Sequence, residues 1–399
     1  MNKNQKITRI LVTMLLASVL FYSGVAARDK DRTSEFLTSL TKINKEKLFK
    51  PIVSVETWGT YSMGEEKSGV KYADRPDISF RRLRLGAKGD PYSWLSYEVE
   101  LNLDRLGEDK YASTKGSYNG LDIWKAYITA RLLKNSDLLY LHAGYYWAAV
   151  SRQYNTSPWA VGSLDKTRAC WYMRNFMTGK GNGIENGFGL GGLKNYKNFG
   201  ISYRAGVYSP SAYESAAKAN LLYTGRLMLS FGEPEEKSYK FMLSGNQWRK
   251  RNGVTLGFGG SSQGKVNASD VVFFDKSYTY GADILINYAG LAISGEYFEM
   301  KREAEGYDDF KGKEWNITTG YNFIIGSTFL EPSFTYEKYN GEGAKALYKY
   351  IGDDKTYDIG INWYLNKDKL KLAAHYVNQG GSTSSNVGDY LGLVLQFRL

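Results

Sequence analysis

Short segments in which apolar and polar residues alternate recur along almost the whole chain, and this pattern restricts the possible folds more than any other feature. Successive side chains of a β-strand point to opposite faces, so alternation predicts strands with one apolar and one polar face. Sixteen such segments follow residue 50: 51–62, 78–89, 93–104, 121–132, 138–148, 186–194, 199–208, 220–231, 253–262, 278–288, 291–301, 313–324, 327–339, 355–365, 369–378 and 387–398. The fold is therefore predicted to be all-β.

The connections between these segments also alternate, in length. Short turns such as "DPY", "LKNSD" and "NKD" are followed by longer polar loops at 63–77, 105–120, 149–185, 209–219, 263–277, 302–312, 340–354 and 379–386. Short turns at one end and long loops at the other are typical of bacterial outer-membrane barrels. Segment 238–253 would add a further strand, but even strand numbers are the rule, so we interpret it as a long excursion at the short-turn end.

The two faces of the predicted strands differ in the way that a membrane barrel requires. The last strand presents an apolar row, Leu391, Leu393, Leu395, Phe397 and Leu399. Many of the opposite faces carry ionisable groups, which could not be buried without water. A barrel of about sixteen strands is wide enough to hold an aqueous channel. The sequence thus predicts a transmembrane antiparallel β-barrel, residues 51–399, around a water-filled pore.

Residues 1–27 have the features of a secretory signal peptide. Lys3, Lys6 and Arg9 precede a mostly apolar stretch, and Val25-Ala26-Ala27 provides small residues for cleavage. Removing the three basic residues lowers the formal net charge from +11 to +8. An exported protein of this charge meets lipopolysaccharide, anionic lipid and anionic solutes, and we expect no nucleic-acid partner.

Between the signal peptide and the barrel, residues 28–50 form a polar leader. Phe36, Leu37, Leu40 and Ile43 would share one side of a short periplasmic helix, and a partly ordered leader is the alternative. The single Cys170 cannot form an internal disulfide.

The stretch "ISFRRLRLGAKGD" at 78–90 has the most unusual polar face. Leu83, Leu85 and Ala87 would face lipid, whereas Arg82, Arg84 and Lys88 would face the channel. Arg81 falls on the lipid side and is expected at the outer rim, where its long side chain reaches the headgroups.

Several motifs resemble the phosphate-selective porin O and P family in their order along the chain. They are "FRRLRLGAKGD" at 80–90, "DIWKAYITARL" at 122–132, "LYLHAGYYW" at 139–147, "GISYRAGVYS" at 200–209 and "GRLMLSFGEP" at 225–234. The resemblance implies a sixteen-stranded, homotrimeric porin in the outer membrane of a Gram-negative bacterium. It also implies a long third loop that folds into the barrel, and conduction of phosphate or other anions along arginines and a lysine-rich constriction.

Two groups of residues correspond to the pore-lining positions that the resemblance implies. The wall positions are Arg82, Arg84, Lys88, Lys125, Arg131, Arg204 and Arg226, where the inward direction of Lys125 and Arg131 requires Trp124, Ala126 and Ile128 to face lipid. The constriction positions in the third loop are Arg152, Arg168, Arg174 and Lys180.

We predict small anionic solutes such as phosphate as the cargo, and acidic residues make a general, non-selective porin the alternative. Asp283, Glu296, Glu314, Glu331, Glu337 and Asp358 would also point inward, on later strands. The arginines could select phosphate, because a guanidinium offers paired planar donors and stays charged. Alternatively, Arg82 and Arg84 could pair with Glu98 and Glu100 and only stiffen the wall of a general porin.

Other functions are less well supported by the sequence. An outer-membrane barrel enzyme would need a histidine–serine pair, and the only histidines are His142 and His375, with no catalytic set evident. A closed structural or adhesive barrel would have a third loop that plugs the lumen. We predict no enzyme activity, no cofactor and no metal.

Overall fold

The strands of the protein form one closed sheet. The computed structural model describes residues 42–64, 66–67, 70–71, 74–104, 121–210, 218–268, 271–383 and 388–399. The wall strands are β1 Lys50–Ser62, β2 Arg75–Tyr92, β3 Leu95–Asn102, β4 Asp122–Arg131, β5 Tyr140–Trp147, β6 Ile184–Asn195, β7 Phe199–Ser209, β8 Leu222–Gly232, β9 Gly253–Ala268, β10 Val271–Tyr288, β11 Leu291–Glu303, β12 Phe310–Tyr321, β13 Thr328–Glu342, β14 Gly352–Asp368, β15 Leu370–Gly381 and β16 Tyr390–Arg398.

Each wall strand pairs antiparallel with its neighbours in sequence, and β1 pairs with β16, from Ser54 opposite Arg398 to Ser62 opposite Tyr390. Two short segments, Lys218–Ala219 and Phe323–Ile325, extend the same sheet, and a separate two-stranded ladder joins Glu66–Lys67 to Val70–Lys71. Closure leaves no strand edge exposed to lipid, where an unpaired backbone group would be costly. The predicted sixteen-stranded antiparallel barrel is confirmed.

Three predicted segments differ in how much of each the structure describes. The signal peptide at 1–27 lies outside the described residues, as do most residues of the predicted leader helix. Within the leader, Lys45–Lys47 form a single 3₁₀ turn. Residues 233–252, which we call the β8–β9 connection, contain no wall strand, and the interpretation of 238–253 as an excursion is confirmed.

Side chains of the wall strands sort by face as predicted. In β16, Leu393 and Leu395 are 63% and 51% exposed, whereas the intervening Val394 and Gln396 are buried. Within the described part of the chain, the outward rows have no protein neighbour beyond the sheet and leave apolar surface exposed. Inward rows carry the buried polar groups, including Thr224 and Arg226 in β8.

Register shifts interrupt this alternation at several places in the wall, and two of them affect residues singled out in the sequence. The register of β2 against β1 shifts after Glu56, and the register of β4 against β3 shifts after Glu100. A bulge inserts one extra residue and re-aims a side chain. The expectation that Arg81 lies at the lipid rim is therefore wrong, because Arg81 is 8% exposed and binds a carboxylate of the third loop. Trp124 likewise contacts Arg84 instead of lipid.

The third loop, residues 148–183, contains most of the helical structure among the described residues. Helix α1 spans Arg152–Asn155, a 3₁₀ turn spans Pro158–Ala160, and helix α2 spans Arg168–Thr178. The Thr167 side chain accepts a hydrogen bond from the Cys170 amide at the start of α2. Gly179 ends α2 in the left-handed conformation that favours glycine.

We predict that Gly144→Ala in β5 destabilises the barrel by about 2 kcal/mol or more. Gly144 has a φ of +129°, and a Cβ atom there would lie 2.3 Å from the carbonyl oxygen of Ala126. Denaturant unfolding in detergent micelles, followed by tryptophan fluorescence, measures the loss. The control is Gly225→Ala, whose Cβ would meet no atom within 4 Å. Equal midpoints for both variants would refute the prediction.

Candidate functional site

The third loop lies against the inner wall of the barrel on the side of β10 to β14. Its backbone and side chains reach inward-facing carboxylates on four of these strands. The amide of Gln153 donates to Glu296 at 2.9 Å and the amide of Ala169 donates to Glu337 at 2.9 Å. The sequence predicted that these carboxylates line the pore and face water. They instead accept hydrogen bonds from backbone amides at the first turns of the loop helices.

A hydrophobic cluster forms where the third loop meets this wall, towards the long-loop end. Phe176 of α2 packs against Phe310 with ring centroids 5.5 Å apart, and Tyr172 stacks on Tyr339 at 4.0 Å. Tyr348, from the loop after β13, covers Phe176 edge-on. The sequence predicted a polar lumen, and the apolar side of α2 instead brings a packed core into part of it. Water and solutes must therefore use the remaining cross-section.

The β8–β9 connection enters the lumen from the opposite, short-turn end. The backbone of Leu243 pairs with the third loop, donating to Asn155 at 2.9 Å and accepting from Ser157 at 3.3 Å. The hydroxyl of Tyr239 lies 2.8 Å from His142 Nε2 on the wall. Two inward segments, one from each end, therefore meet inside the barrel.

Arg152 joins these two segments to the wall. Its guanidinium donates to both oxygens of Glu235 at 2.7 and 2.9 Å, and its Nε donates to Asp283 at 3.2 Å. Burial by itself would raise the pKa of Glu235, but the adjacent Arg152 more than offsets this and lowers that pKa to about 2. Glu235 is therefore ionised at neutral pH, and the connection is held by a buried ion pair.

The three clustered arginines of β2, Arg81, Arg82 and Arg84, are bound to carboxylates. Arg82 binds Glu56 on β1 and Asp165 of the third loop, and Arg81 donates to the same Asp165 at 2.5 Å. Arg84 binds Asp104 at 2.6 Å. The carboxylate partners differ from those considered in the sequence, since Glu98 and Glu100 both bind Lys125 instead.

Aromatic rings complete the surroundings of Arg84. The guanidinium carbon lies 3.6 Å from the ring centroid of Trp124 and 5.7 Å from that of Trp159. A flat guanidinium over an aromatic face is attracted by the ring and is shielded from solutes on that side. Arg84 is therefore both paired and covered.

The remaining predicted wall cations are also close to carboxylates. Arg204 donates to Glu236 at 3.0 Å, Arg226 binds Asp283, and Arg131 lies 3.5 Å from Asp137. Lys88 stands opposite Glu98 in the ladder and forms no ion pair within the described part of the chain. Apart from Lys88, the predicted ladder of cations is thus a set of ion pairs.

The predicted constriction residues of the third loop do not form a cationic ring. Arg168 donates to the amide oxygen of Gln379 at 3.4 Å, and Arg174 donates to the backbone carbonyl of Tyr154 at 2.5 Å. Lys180 is one-third exposed and lies 3.6 Å from Glu185. Arg152, described above, links two segments. Arg152, Arg168 and Arg174 thus hold the loop in place, whereas Lys180 is partly exposed to solvent.

Open space remains beside the paired cations. A cavity of about 460 Å³ lies towards the short-turn end, between β2–β5, the third loop and the β8–β9 connection. Its lining combines both signs of charge with aromatic rings, and includes Arg84, Glu98, Lys125, Arg131, Trp159 and Tyr239. A hydrophilic solute entering here would meet acids and bases together.

Neither histidine is arranged for catalysis. His142 contacts Thr129 at 2.9 Å and Tyr239, while His375 contacts Asp358 at 2.5 Å and Asn362 at 3.3 Å. Among the described residues, neither ring has a serine partner that could act as nucleophile. In the same part of the chain, no group of three or more His, Cys, Asp or Glu side chains could hold a metal ion. The described helices include none long and apolar enough to span a membrane.

Several lining residues were not identified from the sequence. Glu56 could have been found, because it lies on the polar face of the predicted strand 51–62. Asp165, Trp159 and Glu235 lie in irregular segments, where no periodicity indicates a direction. Their roles depend on contacts across more than seventy positions, such as Arg82 with Asp165.

Comparisons with known proteins agree with this architecture. The sequence model of the family described as phosphate-selective porin O and P matches residues 64–399. A search of curated proteins finds no match.

Three solved structures have a similar fold at low sequence identity. An anion-selective porin from Comamonas acidovorans is 12% identical, with a TM-score of 0.52 over 88% of this chain and 98% of its own. Salmonella typhi OmpF in complex with daunomycin is 13% identical, with a TM-score of 0.54 over 88% and 97%. Pseudomonas putida OprB is 10% identical, with a TM-score of 0.56 over 89% and 95%.

Proposed function

Because this chain belongs to the phosphate-selective porin O and P family, we propose that it conducts small hydrophilic solutes through a narrow, charge-compensated lumen with little preference for either sign of ion. The protein is an outer-membrane porin of a Gram-negative bacterium. The observation that carries the proposal is the pairing of Arg82, Arg84, Arg204 and Arg226 with carboxylates.

Ion pairing matters because selectivity depends on uncompensated charge along a narrow path. A guanidinium that shares its donors with a carboxylate has few left for phosphate, and its field is largely cancelled a few ångströms away. This favours the general porin over the phosphate-selective channel that the family description implies. Preference for phosphate stays a prediction for the experiment below.

Further expectations from the sequence accompany this proposal. We expect removal of residues 1–27 on export, a leader at 28–50, and no catalytic activity. A homotrimer is the expected assembly, and a structurally similar protein, OmpT of Vibrio cholerae, is described in a trimer form, with 11% identity and a TM-score of 0.51 over 88% of this chain and 99% of its own.

Planar-bilayer recording of the purified protein tests the proposed function. We expect stepwise conductance, a zero-current potential near zero in a tenfold KCl gradient, and little effect of millimolar phosphate on the chloride current. A strongly anion-selective potential with block by submillimolar phosphate would overturn the compensated lumen and support the phosphate channel. Absence of conductance from correctly folded protein would overturn the porin function itself and favour a closed structural barrel.

A further inference from the structure

A row of exposed aromatic rings crosses the outer surface of β11 to β14. Tyr297, Trp315 and Tyr357 are 43%, 37% and 39% exposed, and Tyr336 lies between the last two. The ring centroids of Trp315 and Tyr336 are 4.8 Å apart, and those of Tyr336 and Tyr357 are 4.7 Å apart. Such rings occupy the boundary between hydrocarbon and headgroups. Below them the outward positions are apolar, with Ile317 among them.

Three outward lysines lie directly above this aromatic row. Lys313, Lys338 and Lys355 each stand two residues from a ring of the row, on the side of the long loops. Two residues of a strand span about 7 Å. The ammonium groups are therefore placed at the depth of the lipid headgroups in the outer leaflet.

The three lysines are placed so that their charges repel one another. Lys338 is directly opposite Lys355 in the β13–β14 ladder, and Lys313 lies diagonally from Lys338. Like charges directly opposite each other destabilise a sheet. In the described part of the chain none of the three ammonium groups makes an ion pair. Carboxylates near the lysines have hydroxyl partners: Glu299, opposite Lys313, accepts hydrogen bonds from the Tyr280 and Tyr297 hydroxyls at 2.6 Å each, and Asp353, two residues before Lys355, accepts one from the Ser382 hydroxyl at 3.0 Å.

We propose that Lys313, Lys338 and Lys355 bind a phosphate group of a phosphorylated glycolipid in the outer leaflet. The phosphate would relieve the repulsion between facing lysines, and the acyl chains would lie on the apolar surface below the aromatic row. Clustered lysines at a headgroup surface attract anionic lipid additively. This inference depends on the outer-membrane location and is independent of which solutes the lumen conducts.

Native mass spectrometry of the detergent-purified protein tests this site, with bisphosphorylated lipid A as the probe. We expect the triple variant K313Q/K338Q/K355Q to bind lipid A on the order of 100-fold more weakly, at about fivefold for each lysine. The control variant K134Q/K197Q/K237Q removes three exposed lysines at the short-turn end and should bind as the wild type does. Unchanged heat-modifiable mobility on gels establishes that each barrel is folded.

Three results would overturn the proposal. The first is equal lipid A binding by the triple variant and the wild type. The second is equal wild-type binding of lipid A and of the same glycolipid without its phosphates. The third is that the triple substitution dissociates subunits and leaves lipid binding unchanged, which would assign the row to a second copy of the chain. If the triple variant does not fold, Lys338→Gln alone should still weaken binding about fivefold.

Discussion

Replacing Arg152 with alanine should release the β8–β9 connection from the third loop and add a larger conductance state to the channel. Arg152 is the main charge partner of Glu235, and the side chains of both are almost fully buried. Breaking a buried pair by removing one partner costs about 3–5 kcal/mol, because the other charge stays buried. In this variant Asp283 remains paired with Arg226, so the lost stabilisation affects mainly Glu235 and the β8–β9 connection that carries it.

Hydrogen exchange of residues 233–252 measures this release. At about 1.4 kcal/mol per factor of ten, protection should fall by about two to four orders of magnitude. Lys180→Ala is the matched control. Lys180 is in the same loop, but its side chain is partly exposed and its ion pair with Glu185 is long, at 3.6 Å. The double variant R152A/E235A removes both charges and should regain part of the protection. Unaltered exchange and conductance in the single variant would show that the backbone pairing at Leu243 holds the connection alone.

Replacing Asp165 with asparagine should turn the weakly selective channel towards anions. Asp165 is the shared carboxylate of Arg81 and Arg82, and the substitution leaves two neighbouring guanidinium groups with less compensation. Two such charges in a narrow lumen attract an anion by at least about 1.4 kcal/mol, which corresponds to about a tenfold change in the anion-to-cation permeability ratio. The shift should shrink at high salt.

The zero-current potential in a tenfold KCl gradient reads out this change. Asp308→Asn makes the same charge change on an exposed loop and should leave the potential unaltered. Phosphate should also slow the chloride current in D165N more than in the wild type, since guanidinium donors become available. The same potential in D165N and the wild type would mean that Arg82 stays neutralised by Glu56 and that Arg81 does not face the solute path.

The barrel was predictable from the sequence because the residues of each strand indicate by themselves which side chains point outward and which point inward. Alternation in β8 and β16 depends only on which side of the local backbone meets lipid, so Leu227 and Leu395 could be placed without any other segment. The alternating lengths of the connections indicated which end of each strand lies at the long loops. The segment "SYKFMLSGNQWRKRNG" was correctly interpreted as lying outside the wall strands up to residue 252. Bulges were not predictable, because a single inserted residue leaves no signal in a short alternating run. Arg81 and Trp124 were misplaced for this reason.

The contacts inside the lumen could not be predicted from such local patterns. Polar inward residues such as Arg82 and Glu337 are compatible with a water-filled pore or with a partner inside the barrel, and alternation is the same in both cases. The partners, Asp165 and the amide of Ala169, come from a loop whose path depends on packing of Phe176 and Tyr172 against distant strands. Apolar and polar periodicity thus specified the wall that faces lipid. Long-range packing and ion pairing specified which charges remain available to a solute, because compensation of charge depends on distances between atoms that are far apart in the chain.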